Sequence, residues 1–294
     1  MPQGFSFAKL GPWPAGMAVL GSRLDVPVDA LFDAADVDVM PTGAVESRVE
    51  WVEAQGGVTA HSIFEHSGVV YGVIDGYLSA LSEFGYMPFH PVDQRITWTV
   101  LNGYATFASA DGVFRVHSES VTSVSGVVRT DDDMDDPLVP MPGGQWVDYW
   151  NGRLLVARGP KLLFSRPLRY GAHNPMIDYV MFPQYIEWVA PVANGIFVGT
   201  PNKVFWLAGR TPSDMTMQAV AGKTAPGVAL VVDGTFVGGG LSGQVAIFLT
   251  TSGFAVGLPS GEIQYPQAKY IKDLPLFRGR LFRVGSRIFA VKEI

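Results

Sequence analysis

The sequence predicts an all-β protein, a single β-propeller of about six blades with an irregular N-terminal lead-in. Three observations predict it. A dipeptide ending in Gly recurs between apolar strand-like segments; the recurrences are spaced by about one blade; and the 34 Gly and 21 Pro in 294 residues leave little room for long helices. Hydrophobic residues make up 48% and charged residues 16% of the chain, against a usual charged share of about 25%. Such a composition suits half-buried pleated surfaces and leaves apolar area for partners.

The first dipeptide is Asp75-Gly76, inside Val69–Ile74 and Tyr77–Leu81. Others follow at Asp111-Gly112, Asn151-Gly152, Asn194-Gly195, Asp233-Gly234 and Arg278-Gly279. Asn-Gly and Asp-Gly between apolar segments mark tight hairpins, because a type I′ turn needs positive φ at both central residues. Successive glycines are 36, 40, 43, 39 and 45 residues apart, the length of a four-stranded blade. Asn102-Gly103, between Ile96–Leu101 and Tyr104–Ala108, reads as a second hairpin within one blade. So do Leu154–Arg158 with Lys161–Ser165, and Ile196–Thr200 with Lys203–Leu207. One Gly turn per blade gives about six blades, or seven if Gly43 to Trp51 opens its own. A β-sandwich with several hairpins is the alternative, but its turns recur every 8–12 residues or so without a longer period.

The chain is expected to be one domain over residues 1–294, with 11–60 as lead-in and 128–145 as a long acidic, Pro-rich loop. Ring closure is expected to pair Phe5–Leu10 with Arg287–Lys292, hiding two sheet edges. There is no Cys, so disulfides and thiolate metal sites are excluded. The start of the chain lacks a basic head and an apolar run, and no stretch of about 18 apolar residues occurs. A soluble product of a cytoplasm, without a membrane-spanning segment, is expected. The net charge of −6 opposes phosphate gripping and suits a surface that nucleic acid slides past.

Catalytic, cofactor-binding and metal-ligating residues are each assigned as none, and no cofactor is expected. The five histidines, His61, His66, His90, His117 and His173, come with no Gly-x-Ser-x-Gly elbow. His61 and His66 are five apart in one strand, so alternation places them on opposite faces. Gly222-Lys223-Thr224 imitates the end of a phosphate loop, but Met217 stands where its first Gly belongs. Gly238-Gly239-Gly240 reads as a hairpin loop. The segment Asp131–Asp136 holds five carboxylates without the Gly or Asn that bends a calcium loop, so a solvated loop is favoured over an ion site. A glycosidase needs two carboxylates across a cleft, and Glu65, Glu83, Glu119, Asp148, Asp178 and Glu187 are scattered. Arg153, Arg158, Lys161, Arg166 and Arg169 are expected to face solvent or a partner subunit.

Several phrases, in order, resemble tail proteins of short-tailed bacteriophages and related prophages. They are Ala35–Val39 with Gly43 and Arg48, His61–Phe64, Tyr71–Leu81, Gly152–Gly159, Leu163–Pro167, Ala190–Thr200, Ala225–Gly227 and Thr251–Gly257. The resemblance covers roughly residues 35–265. In that family Asn is usual where Asp36 stands, and a run of arginines where Arg48 stands alone. The resemblance implies a structural virion protein, a β-propeller in the nozzle or hub ring of a tail. It implies a homo-oligomeric ring, six subunits favoured, set below the portal and adaptor and holding tail fibre or spike proteins. DNA would pass during ejection without sequence-specific binding, past a lumen wall expected to be acidic. The implied location is the virion tail. A propeller carbohydrate-binding or glycoside-hydrolysing module is the alternative, followed by a cellular propeller scaffold.

Overall fold

In the computed structural model, residues 37–39, 45–47, 60–82, 85–92, 94–117, 119–124, 137–237, 240–266, 276, 278–284 and 287–292 are described. Strands dominate them, and the helical content is one 3-10 turn at Gly234–Phe236. Strands β1 (Val37–Val39) and β2 (Val45–Ser47) form a small hairpin. Five antiparallel four-stranded sheets follow. The first is β3 (Ala60–His66), β4 (Val69–Ile74), β5 (Tyr77–Ser82) and β6 (Gly85–Pro91). The second is β7 (Thr97–Leu101), β8 (Tyr104–Ser109), β9 (Gly112–His117) and β10 (Ser120–Ser123).

The third sheet follows β11 (Val139–Pro140) and is made of β12 (Trp146–Trp150), β13 (Arg153–Arg158), β14 (Lys161–Phe164) and β16 (Tyr179–Met181). Between its last two strands, β15 (Ala172–His173) pairs back to β11. The fourth sheet is β17 (Trp188–Val192), β18 (Gly195–Gly199), β19 (Val204–Ala208) and β20 (Thr216–Ala221). The fifth is β21 (Thr224–Asp233), β22 (Gln244–Thr250), β23 (Gly253–Gly257) and β24 (Ile263–Gln264). A two-stranded sheet, β25 (Gly279–Val284) and β26 (Arg287–Lys292), closes the series.

The first strand of each sheet packs on the first strand of the next: β3 on β7, β7 on β12, β12 on β17, β17 on β21, and β21 on β25. Sheets stacked through their first strands around a common axis make a β-propeller. The contacts between inner strands are polar as well as steric. Trp98 Nε1 donates to the Ser62 carbonyl at 2.7 Å, and Val147 N donates to Thr97 Oγ1 at 2.7 Å. Trp150 Nε1 donates to the Val192 carbonyl at 2.7 Å, and Trp188 Nε1 to Thr224 Oγ1 at 3.1 Å. The indole N–H groups of Trp98, Trp150 and Trp188 are therefore satisfied by the neighbouring sheet, which fixes the stacking register.

Middle strands are apolar on both faces, and the core clusters show why. In β13, Leu154 and Val156 pack with Leu101, Ala108 and Val113 of the second sheet, while Leu155 and Ala157 pack with the fourth. In β22, Ala246 and Phe248 face the fourth sheet, while Val245, Ile247 and Leu249 pack with Leu281 of β25. Both side-chain sets of a period-2 strand are buried, so these strands read as continuous apolar runs. Each fully buried large side chain contributes about 1.5–3 kcal/mol.

The glycine turns divide into two kinds. Asp75-Gly76 (φ 49° and 81°), Asn102-Gly103 (52° and 78°) and Asn151-Gly152 (46° and 74°) are left-handed at both residues, as tight hairpins require. Ser67-Gly68 (54° and 80°) is a fourth, between β3 and β4. The remaining dipeptides differ from expectation. The turn before Gly195 is Ala193-Asn194, and Gly195 begins β18, where a side chain would run into the Leu207 carbonyl and the Trp206 ring. Gly112 likewise begins β9 without positive φ, Asp233-Gly234 leads into the 3-10 turn, and Arg278-Gly279 opens β25. The period was real, but it mixes turns of different position in the sheet.

Of the anticipated loop 128–145, residues 137–145 are described. Asp131–Asp136 lies outside the described residues, whereas 137–145 threads between the second and third sheets. A Cβ on Gly143 would strike the Ser109 carbonyl oxygen and the Gly112 amide, both backbone. Gly143→Ala is therefore expected to destabilise the protein by about 1–3 kcal/mol. The check is a lower midpoint in urea at an unchanged slope. Phe5–Leu10 lies outside the described residues, and the described partner of Arg287–Lys292 is β25. Of the lead-in 11–60, the described part is the β1–β2 hairpin and Ala60.

Candidate functional site

The inner strands present two cavities, one at each end. Where they begin, a small cavity of about 100 Å³ is bordered by Arg95, Gln145, Glu187, Gly227, Arg278 and Gly279. Burial, and then the Arg278 charge, lower the Arg95 pKa. Where they end, a cavity of about 330 Å³ is bordered by Asp148, Tyr149, Asn151, Pro191, Val231 and Gln244, among others. These residues come from the ends of β12, β17 and β21 and the start of β22.

Asp148 is the acidic side chain of this larger cavity. Its Oδ1 accepts the Tyr149 N–H at 2.8 Å and, more weakly, the Thr99 hydroxyl at 3.4 Å. Burial raises its pKa to about 7, outweighing both hydrogen bonds. Trp146, Val147, Tyr149 and Trp150 flank it in sequence, so an acid within an aromatic strand was the available signal for a desolvated carboxylate.

A second polar centre is structural. Asp178 is buried beside β13, with Arg153 Nη1 at 3.6 Å from Oδ1 and Arg166 Nε at 3.3 Å from Oδ2. Asn174 N donates to Oδ2 at 2.8 Å, and Arg153 Nη1 donates to the Ser165 carbonyl at 2.8 Å. His173 adjoins this cluster, its pKa lowered by burial against the opposing pull of Asp178. The arginine stretch is therefore not uniformly solvent-facing. Arg158, Lys161 and Arg169 are exposed, but Arg153 is buried because a carboxylate from the β15–β16 connection reaches it.

The histidines are dispersed. A bulge at Ser62 (φ 57°) inserts one residue in β3, so His61 and His66 pair with Val73 and Val69. An even offset puts both on one face, contrary to simple alternation, yet about 13 Å apart along the strand. His66 Nε2 donates to the Gly103 carbonyl at 2.9 Å. His90 lies against Phe107 and Phe114, and His117 against Tyr104. Among the described residues, no group of three or more His, Cys, Asp or Glu side chains converges on a metal-sized site.

Five of the six scattered carboxylates lie among the described residues, and no two of them face each other across a cleft. Asp148 and Glu187 stand at opposite mouths, and Asp178 is spent on arginines. Glu65 accepts the Gly68 N–H at 2.8 Å, Glu119 is exposed, and Glu83 lies outside the described residues. Thr224 starts β21 and donates to the Leu249 carbonyl at 2.7 Å, so Gly222–Thr224 is no phosphate loop. Gly238 and Gly239 lie outside the described residues. No described helix is long and apolar enough to cross a membrane.

No protein-family model matches the sequence, and no curated protein matches it. Solved structures resemble the fold. The extracellular domain of a hybrid two component system from B. thetaiotaomicron superposes with a TM-score of 0.53 at 10% identity, over 85% of this chain and 33% of that one. A structure of the same domain described as a one component system gives 0.52 at 11% identity. BBS1N in complex with ARL6DN gives 0.50 at 10% identity, over 85% of this chain and 77% of that one. This chain spans about a third of that extracellular domain's length. The shared feature is the β-propeller fold.

Proposed function

We propose that this chain is a structural virion protein, a subunit of the nozzle or hub ring in a short-tailed phage tail. The observation that carries the reading is the order of the family-like phrases. Tyr71–Leu81 falls on the first sheet, Gly152–Pro167 on the third, Ala190–Thr200 on the fourth, and Ala225–Gly227 with Thr251–Gly257 on the fifth. We count the β25–β26 sheet as the sixth blade. The ring is homo-oligomeric, six subunits favoured, with portal or adaptor on one side and fibre or spike proteins as neighbours. DNA passes through it without sequence-specific contacts, which the net charge of −6 favours.

Two further features support a role in assembly. Inner strands cross-linked by indole and hydroxyl hydrogen bonds give a rigid platform. Leu168, Met176, Ile177, Met181 and Tyr185, around the third sheet, are each about half exposed or more. Exposed apolar side chains of this kind suit burial against a neighbouring chain. The carbohydrate-hydrolase alternative lacks a facing carboxylate pair among the described residues, since Asp148 and Glu187 occupy opposite ends. Mass spectrometry of gradient-purified phage particles tests the proposal. The chain is expected at a constant stoichiometry to the portal protein, and infectious particles that lack it would overturn the reading.

A further inference from the structure

The larger axial cavity holds a carboxylate with no cation beside it among the described residues. From β7 its neighbour is Thr99, from β17 Pro191, from β21 Val231 and from β22 Gln244, all uncharged. Tyr149, which contacts Tyr170 edge-to-face at 5.9 Å, is the other titratable group bordering the cavity among the described residues. Both described hydrogen bonds to Asp148 fall on Oδ1, and Asp148 borders the cavity.

We propose that this mouth binds a primary alkylammonium group, with Asp148 as its counter-ion. An ammonium brings three donors and no acceptor. Asp148 Oδ2 takes one, and the side-chain carbonyl oxygens of Asn151 and Gln244 at the exposed rim take others. The alkyl stem lies against Pro191 and Val231. A guanidinium fork fits less well, because it wants both carboxylate oxygens and Oδ1 is already engaged. A calcium ion wants six to eight oxygens, and a single carboxylate is a poor start. The volume of about 330 Å³ sits at the lower end of the ~300–1,000 Å³ common for small-molecule sites. Asp148, raised to about 7 by burial, is drawn back to its charged form when an ammonium sits beside it. Binding is thus coupled to proton release. The inference does not depend on the proposed virion role.

The test is a titration of the full chain, ¹⁵N-labelled at tryptophan, followed through the Trp150 indole signal. The probes are n-butylammonium, Nα-acetyl-lysinamide and, as the neutral isostere, n-butanol. A saturable shift is expected with n-butylammonium and none with n-butanol, tightening about tenfold from about pH 6 to about pH 8. Asp148→Asn is expected to weaken it at least about tenfold. A response to acetyl-lysinamide as well would identify a lysyl side chain as an accepted source, and its absence a free amine. Equal shifts with n-butanol, or no saturable shift with either amine, would overturn the proposal. The pH dependence in the native protein decides the matter even if the variant folds poorly, and a flat profile also overturns it.

Discussion

Asp178→Ala is expected to cost about 3–5 kcal/mol of stability, among the largest effects of any single substitution in this protein. The reason lies in what the carboxylate leaves behind. Arg153 is 7% exposed and Asp178 3%, so neither group regains water when its partner is removed. Arg166 loses its 3.3 Å contact and the Asn174 amide loses its 2.8 Å acceptor in the same stroke. A buried guanidinium without a counter-charge is far costlier than the intact pair is favourable. The same cluster ties the β15–β16 connection to β13, so its loss should also expose the segment carrying Met176 and Ile177. Chemical denaturation gives the magnitude, and faster amide exchange over 172–181 gives the location. A loss below about 1 kcal/mol would mean that the cluster is wet and weakly coupled.

Asp148→Asn is expected to act in the opposite direction at neutral pH. The folded-state pKa, about 7, lies above the roughly 3.9 of an unfolded aspartate. The native state therefore binds the proton more tightly than the unfolded state does. The favourable contribution of the protonated acid is complete below about pH 4 and is lost as pH rises through about 7. Wild-type stability should fall by about 2–4 kcal/mol across that window from this group alone. Asparagine keeps an acceptor for Tyr149 N and Thr99 while removing the charge. The variant should match the wild type near pH 4, exceed it by about 2–4 kcal/mol at pH 8, and show a flatter profile between. Urea melts of both proteins over that range test it, and parallel profiles would contradict it.

The sheets were legible because their middle strands are buried on both faces and their tight turns need left-handed residues. Leu154–Arg158 and Lys161–Ser165 could be read directly, since apolar runs broken by Gly159-Pro160 have few other solutions. Asn151-Gly152 could be placed for the same reason. Ser67-Gly68 was overlooked because Ser is a weaker left-handed former than Asn or Asp, and its hairpin opens the first sheet. Arg278-Gly279 misled in the other direction. There Gly279 opens β25, and the glycine needed for close approach is Gly227, where a Cβ would sit 2.7 Å from the Gly279 carbonyl oxygen.

The site was less legible, since it depends on pairings distant in sequence. Nothing local to Arg153 announces Asp178, and nothing local to Asp148 announces that Pro191, Val231 and Gln244 close around it. Local rules also fail where backbone irregularities shift the phase. The bulge at Ser62 reversed the facing of His61 relative to His66, a one-residue effect that pattern alone does not reveal.

A cryo-electron microscopy map of the purified particle's tail tests the central claim most directly. It should show a cyclic ring of copies of this chain below the portal, six favoured, with the propellers as wall and the DNA path along the ring axis. A complete tail whose density has no place for a β-propeller of these sheets would contradict it.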